Sequence, residues 1–208
     1  MRVIETSTIA ATLGLFCFLT TSNLASTKAI QALGIHLTGG FFTYPFVYFF
    51  SSIIIATRSP KTYFRCITLA YLGYLTFISM MYLASITPDS DPNSNYSQSF
   101  NLIYSLNNYR VYLASLCAYF VSTFMFGIIF SSLKINSISI RISISTIVVS
   151  LVDVKLFLAL AYFGVKDNDI LIIIMFWSSV AKLVAQIVLL PPAILIINTI
   201  RDRDECYF

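Results

Sequence analysis

Ile142 to Gly164, ISISTIVVSLVDVKLFLALAYFG, and Ile170 to Ile200, ILIIIMFWSSVAKLVAQIVLLPPAILIINTI, are long and apolar enough to cross a bilayer, and both carry full charges inside. About 20 consecutive apolar residues span the hydrocarbon. A charged side chain at its centre costs at least roughly 2.5 to 3.5 kcal/mol on insertion scales. Asp153, Lys155 and Lys182 are therefore expected to face a cavity or an opposite charge, and function is to be sought there.

Outward from these two runs, four more of about spanning length lie at Thr8 to Thr27, Phe41 to Thr57, Cys66 to Ile86 and Val111 to Phe130. The whole chain, at 208 residues, is 58% hydrophobic and 11% charged with mean hydropathy +0.83, more apolar surface than one soluble core can hide. The reading is an all-α integral membrane protein, one transmembrane domain over residues 1–208 with six transmembrane helices. The first run is kept as a helix, because Asn23-Leu24-Ala25 makes a poor signal-peptide cleavage site. The net charge of +4 comes from basic residues scattered between apolar runs, which argues against a nucleic-acid partner. Cys17, Cys66, Cys117 and Cys206 show no close pairing, so neither a disulfide framework nor a zinc site is expected.

Six spans put both termini on one side, and the positive-inside rule chooses which. With the termini in the cytoplasm, the inner segments hold Arg2, Arg58, Lys61, Arg65, Lys134, Arg141, Arg201 and Arg203 against Lys28, Arg110 and Lys166 outside. Eight against three favours cytoplasmic termini. Phe41 to Thr57 is short and carries Pro45, so a broken or partly re-entrant helix is expected. The last run, on the order of 46 Å as a straight helix, must tilt, kink at Pro191 and Pro192, or project into the cytoplasm. In the outer loop, Thr87 to Tyr109, the residues Phe100, Ile103, Tyr104 and Asn107 could form one or two amphipathic turns over a site, or a plain solvated loop. Ser137 to Ser145 alternates Ser with Ile as a strand would, but an unpaired edge cannot enter lipid. That stretch is expected to be loop and then helix.

Asp153 is about 11 residues into the fifth span from inside and Lys182 about 12 into the sixth from outside, so both sit near the midplane and can meet. Lys155, about 200° around the helix from Asp153, cannot share its face. The functional reading makes Asp153 and Lys182 a polar pair lining a substrate site, with Asn23, Ser52, Ser115, Tyr119, Ser150 and Gln186 as hydrogen-bonding neighbours. The plainer reading is an interhelical salt bridge that fixes packing. Lys155 can snorkel or bond to backbone carbonyls.

Thr21-Ser22-Asn23, Gly34-Ile35-His36-Leu37-Thr38, Phe42-Thr43-Tyr44-Pro45-Phe46, Arg110 with Ala114-Ser115 and Ala118-Tyr119, then Ser150 and Asp153, then Lys182 and Pro192 are ordered along the chain. In order and spacing this set resembles the bacterial queuosine precursor transporter family, six-helix inner-membrane importers of 7-deazaguanine bases. The resemblance covers roughly Thr20 to Asn198. It implies import of queuine, preQ0 or preQ1 for tRNA queuosine salvage in the bacterial inner membrane, with Asn23, Tyr44, Pro45, Phe46, Ser52, Arg110, Ser115, Tyr119, Ser150, Asp153, Lys182 and Gln186 as substrate-binding candidates. Where the family usually carries acidic or polar residues, this chain has Ser52, Ala56, Thr123 and Phe126. A less acidic pocket and a different base, queuine with its bulky arm, are the resulting expectations.

The chemistry agrees with the resemblance. A deazaguanine presents a donor edge that a carboxylate or Asn can read and an acceptor oxygen that a Lys can read, while Tyr119, Tyr44 or Phe46 could stack on its faces. No cofactor is required. The partners implied are the small-molecule base and the lipid bilayer, with a homo-oligomer or a coupling partner left open. The competing class, an intramembrane enzyme, lacks its parts: the single histidine is His36, near the outer end of a connection, and no Gly-x-Ser-x-Gly or His-Glu-x-x-His motif is present. A third class is a substrate-binding subunit like that of the energy-coupling factor importers, whose architecture the chain resembles. Without a P-loop it would need partner ATPases.

Overall fold

The computed structural model describes residues 2–26, 28–32, 35–91, 94–104, 109–165 and 168–205. Six of its helices are long and apolar enough to cross a membrane. In chain order the elements are α1 (Arg2–Ala25), β1 (Ala29–Ala32), β2 (Ile35–Thr38), a 3-10 turn (Gly39–Phe42), α2 (Tyr44–Thr57), α3 (Pro60–Ile86), α4 (Asn95–Tyr104), α5 (Tyr109–Ser132), α6 (Ile138–Tyr162) and α7 (Asn168–Glu205).

Pro45 does not break the second span. It lies in the first turn of α2, where a missing N–H costs nothing because that donor has no partner within the helix. Ser59 caps α3 by accepting from the Thr62 N–H, and Ser137 does the same for α6 from Ile140. That cap explains why the Ser-Ile alternation folds as helix: the first serine stops the connection and the following residues enter the fifth span. α7 runs as one helix through Pro191 and Pro192 for 38 residues, on past Ile200 to Glu205.

Hydroxyls in hydrocarbon have no water to bond and turn back to their own helix. Thr12, Thr20, Ser52, Thr57, Thr68 and Thr76 each donate to the carbonyl four residues earlier. Large apolar side chains cover the outside as well as the centre, among them Leu69, Leu72, Met80 and Leu83 of α3 and Ile172, Ile173, Ile187 and Val188 of α7. Such a surface is matched to lipid tails rather than to water. The interior is built on Leu15, Leu19, Tyr48, Tyr63, Ile67, Phe126 and Ile142, with the Tyr63 hydroxyl donating to the Thr123 carbonyl at 2.8 Å.

At the two ends of the antiparallel pair α5 and α6, arginines bond the terminal carbonyls that a helix cannot satisfy itself. Arg141 donates to the Phe130 carbonyl from Nε and Nη2, at 3.1 and 2.5 Å, with its guanidinium 4.2 Å from the Phe130 ring centroid. Arg58 joins α2 to α1 through Thr8 Oγ1 at 2.6 Å and Ser7 Oγ at 3.1 Å.

The α1–α2 connection adds a small antiparallel β-hairpin that hydropathy did not foretell, with Ala29 opposite Thr38 and Ala32 opposite Ile35. His36 belongs to β2. The 3-10 turn after it lies against the end of α1, where a Cβ on Gly40 would fall 2.7 Å from the Ser22 carbonyl oxygen. Only glycine permits that approach. α4 supplies the amphipathic turns expected in the outer loop, anchored by Tyr112 donating to the Ile103 carbonyl and Asn101 to Asp89. Asn107 and Cys206 lie outside the described residues.

Candidate functional site

α6 and α7 pack against each other with Asp153 and Lys182 facing across the contact, and Lys182 Nζ lies 2.5 Å from Asp153 Oδ2. The other carboxylate oxygen, Oδ1, accepts from the Tyr44 hydroxyl at 2.9 Å. Lys182 Nζ also sits 3.8 Å from the Tyr44 ring centroid. Three helices thus meet at one node: the carboxylate has a donor for each oxygen, and the ammonium has a carboxylate and a ring face. Asp153 is 2% exposed and Lys182 14%, and a pair that buried is tolerable in hydrocarbon only with such complete partnering. Lys155 points elsewhere and is exposed.

A cleft enclosing about 470 Å³ of empty space, part of it open to the surroundings, runs from this node toward the hairpin end of the bundle. Ser22 and Ser26 line it from α1, Gly40 and Phe41 from the 3-10 turn, Tyr44 from α2, and Ser115 and Ala118 from α5. Asp153, Val154, Phe157 and Leu158 come from α6, Ser178 and Lys182 from α7. No residue of α4 lines it, so that helix covers the end of α3 and not this cavity.

Of the residues singled out in the sequence, Tyr44, Ser115, Asp153 and Lys182 come together around this space. Pro45, Ser52 and Gln186 line a second cavity, farther from the hairpin, whose roughly 250 Å³ of empty space likewise includes space open to the outside. Asn23 is buried with its amide donating to the Leu19 carbonyl, and Ser150 is buried with its hydroxyl donating to the Ile147 carbonyl. Phe46 stacks on Phe18 at 4.5 Å, and Tyr119 is fully buried with its ring parallel to Tyr71. Arg110 lies at the far end of α6, donating to the Leu160 carbonyl at 2.9 Å and the Phe163 carbonyl at 2.6 Å. Among the positions where family acids were expected, Ser52 lines the second cavity. Phe126 is 0% exposed in an aromatic cluster, and Thr123 is buried with its hydroxyl on the Tyr119 carbonyl.

Sequence reasoning missed Ser22, Ser26, Phe41, Phe157 and Ser178. Two of them were within reach, because Phe157 is four residues past Asp153 and Ser178 four before Lys182. Residues four apart share a helix face. Phe41 carries no such signal, since its place follows from the hairpin and the turn.

Chemically, the lining offers one anion, one cation, several hydroxyls and two phenylalanine rings, a set suited to a planar polar molecule with both donor and acceptor edges. Among the described residues no three His, Cys, Asp or Glu side chains gather as metal ligands would. No curated protein and no solved structure matches this chain. A family model, described as "Putative vitamin uptake transporter", matches residues 38–196, which take in the Tyr44–Asp153–Lys182 node and most of the spans. This multi-pass membrane chain belongs to that vitamin uptake transporter family.

Proposed function

We propose that the protein imports a queuosine precursor or related 7-deazaguanine base, queuine, preQ0 or preQ1, across a bacterial inner membrane, with both termini in the cytoplasm. One observation carries the reading: a carboxylate and an ammonium are held together at the floor of a cavity between helices, in a family described by vitamin uptake. The ring N–H and exocyclic amine of the base would take Asp153 in place of Lys182, and the ring carbonyl would take the released ammonium. The Phe41 and Phe157 rings, both in the lining, offer apolar faces to the heterocycle. Exchanging one set of charge-assisted bonds for another avoids leaving either ion unpaired in a dry interior, where it would cost several kcal/mol. When the base leaves, the pair closes again and bars the path. This gives the pair a role in gating as well as binding.

The test is complementation. A bacterium blocked in queuosine synthesis and lacking its own importer, but equipped with the relevant salvage enzymes, should regain tRNA modification when given this chain and one of the three bases. A correctly inserted protein that rescues with none of them would sink the assignment.

A second reading, a substrate-binding subunit driven by a partner, is favoured by Lys155, an exposed cation within an apolar span that has no ion-pair partner among the described residues. A carboxylate on a membrane helix of another protein would satisfy it. Substrate movement by the purified chain alone in proteoliposomes would exclude a required partner.

A further inference from the structure

The second cavity lies on the other side of the Tyr44–Asp153–Lys182 node, toward the end of the bundle where α2 meets α3. On each of the node's three helices one lining residue continues the face that carries the node. Tyr48 follows Tyr44 by four residues, Gln186 follows Lys182 by four, and Thr146 precedes Asp153 by seven. Four and seven residues are one and two helical turns, so the two cavities lie on one line with the node between them.

Its polar groups are left without partners. Gln186 is 7% exposed and Thr146 8%, yet among the described residues neither amide atom of Gln186 nor the Thr146 hydroxyl has a hydrogen-bond partner. A donor or acceptor buried without a partner destabilises the fold, so these atoms favour an occupant that bonds them. No charged side chain lines the cavity, in contrast to the first one. A fully ionic occupant would be uncompensated there, whereas a neutral one with paired donor and acceptor would satisfy these atoms. The glutamine amide presents a carbonyl beside an N–H, which matches the N–H beside a carbonyl of a lactam in two parallel bonds, as glutamine reads adenine bidentately. Tyr48 and Phe49 supply ring surface.

We propose that this cavity is a second, uncharged binding site for a neutral planar heterocycle presenting a lactam edge, with Gln186 paired to the lactam, occupied after the solute passes the node. It deepens the transport reading and rests on it for the identity of the solute. A site without charge would hold the solute less tightly than the ion pair does, and conduction needs binding weak enough to leave.

The experiment uses the full chain with Cys17, Cys66, Cys117 and Cys206 replaced by serine and Leu189→Cys, a half-buried lining position, as reporter. A membrane-impermeant thiol reagent should label that cysteine from the α2–α3 side, and the neutral base preQ0 at saturation should protect it. Its N1-methyl derivative, whose lactam N–H is blocked, should not. Gln186→Leu should cut the preQ0 uptake rate at least tenfold while leaving equilibrium binding at the first site within about threefold of wild type. Equal protection by the N1-methyl derivative, no labelling from that side, or wild-type uptake by Gln186→Leu would each overturn the proposal. If wild-type protein binds no 7-deazaguanine, the substrate reading falls. Protection by uracil, xanthine and lumazine then decides the second site: protection by a lactam supports it, and protection by none rejects it.

Discussion

Asp153 accepts from two donors of unlike strength, and its substitutions should separate structure from transport. Tyr44→Phe removes one neutral donor, which costs on the order of 1 kcal/mol. Lys182→Met leaves a carboxylate buried without its cation, costing about 3–5 kcal/mol. Asp153→Asn leaves the ammonium in the same position and should abolish or strongly reduce uptake while the protein stays in the membrane. The double variant Asp153→Asn with Lys182→Met removes both charges. It should recover most of the thermal stability lost by either single variant, read as melting of the solubilised protein, and recover none of the uptake. Transport by the neutral double variant would reduce the pair to packing glue and move recognition elsewhere.

At the scale of elements, Arg110 marks where a residue pattern and a tertiary contact part company. Its position just before an apolar span fits both a substrate contact and a helix-end contact, and the sequence alone cannot choose. In the fold its guanidinium binds the last carbonyls of α6, where a cation is favoured by the helix dipole as well as by the unpaired acceptors. Arg110→Gln should therefore lower stability by roughly 0.5–1 kcal/mol and leave the KM for the transported base within about twofold. A tenfold change in KM would place Arg110 at the substrate after all. The spans themselves were legible because lipid imposes one rule, that every backbone group be satisfied within the segment, and a long apolar run can obey it only as a helix. The β-hairpin was not, since Ala29–Ala32 and Ile35–Thr38 are too short for a period to register. Pro45 misled for a related reason: a proline disrupts or begins a helix according to where the helix starts, and the 3-10 turn ahead of it sets that start.

Across the whole molecule, the site was legible only where charge made it so. Asp153 and Lys182 could be paired by counting residues from each membrane face, because two opposite charges at one depth have few alternatives to meeting. Hydroxyls and aromatics give no such constraint, and Asn23, Ser150 and Tyr119 prove to be buried away from the cavity lining. Ser52 and Phe126 make the same contrast testable. Phe126 packs among Tyr48, Tyr63 and Phe130 with ring centroids 6.2 to 6.4 Å away, so Phe126→Asp would bury an unpaired carboxylate in an aromatic cluster. The expected outcome is loss of the protein from the membrane fraction, which carries no information about substrate. Ser52 lines the second cavity two turns along α2 from Tyr44, with its hydroxyl returned to the Tyr48 carbonyl at 2.7 Å. Ser52→Asp can hydrate through that space and should insert normally, while shifting the ranking of queuine and preQ1 against preQ0 in competition uptake, because a new anion beside Gln186 favours a base with a cationic arm. An unchanged ranking in a stably inserted Ser52→Asp protein would mean that the transported base never approaches that wall of the bundle.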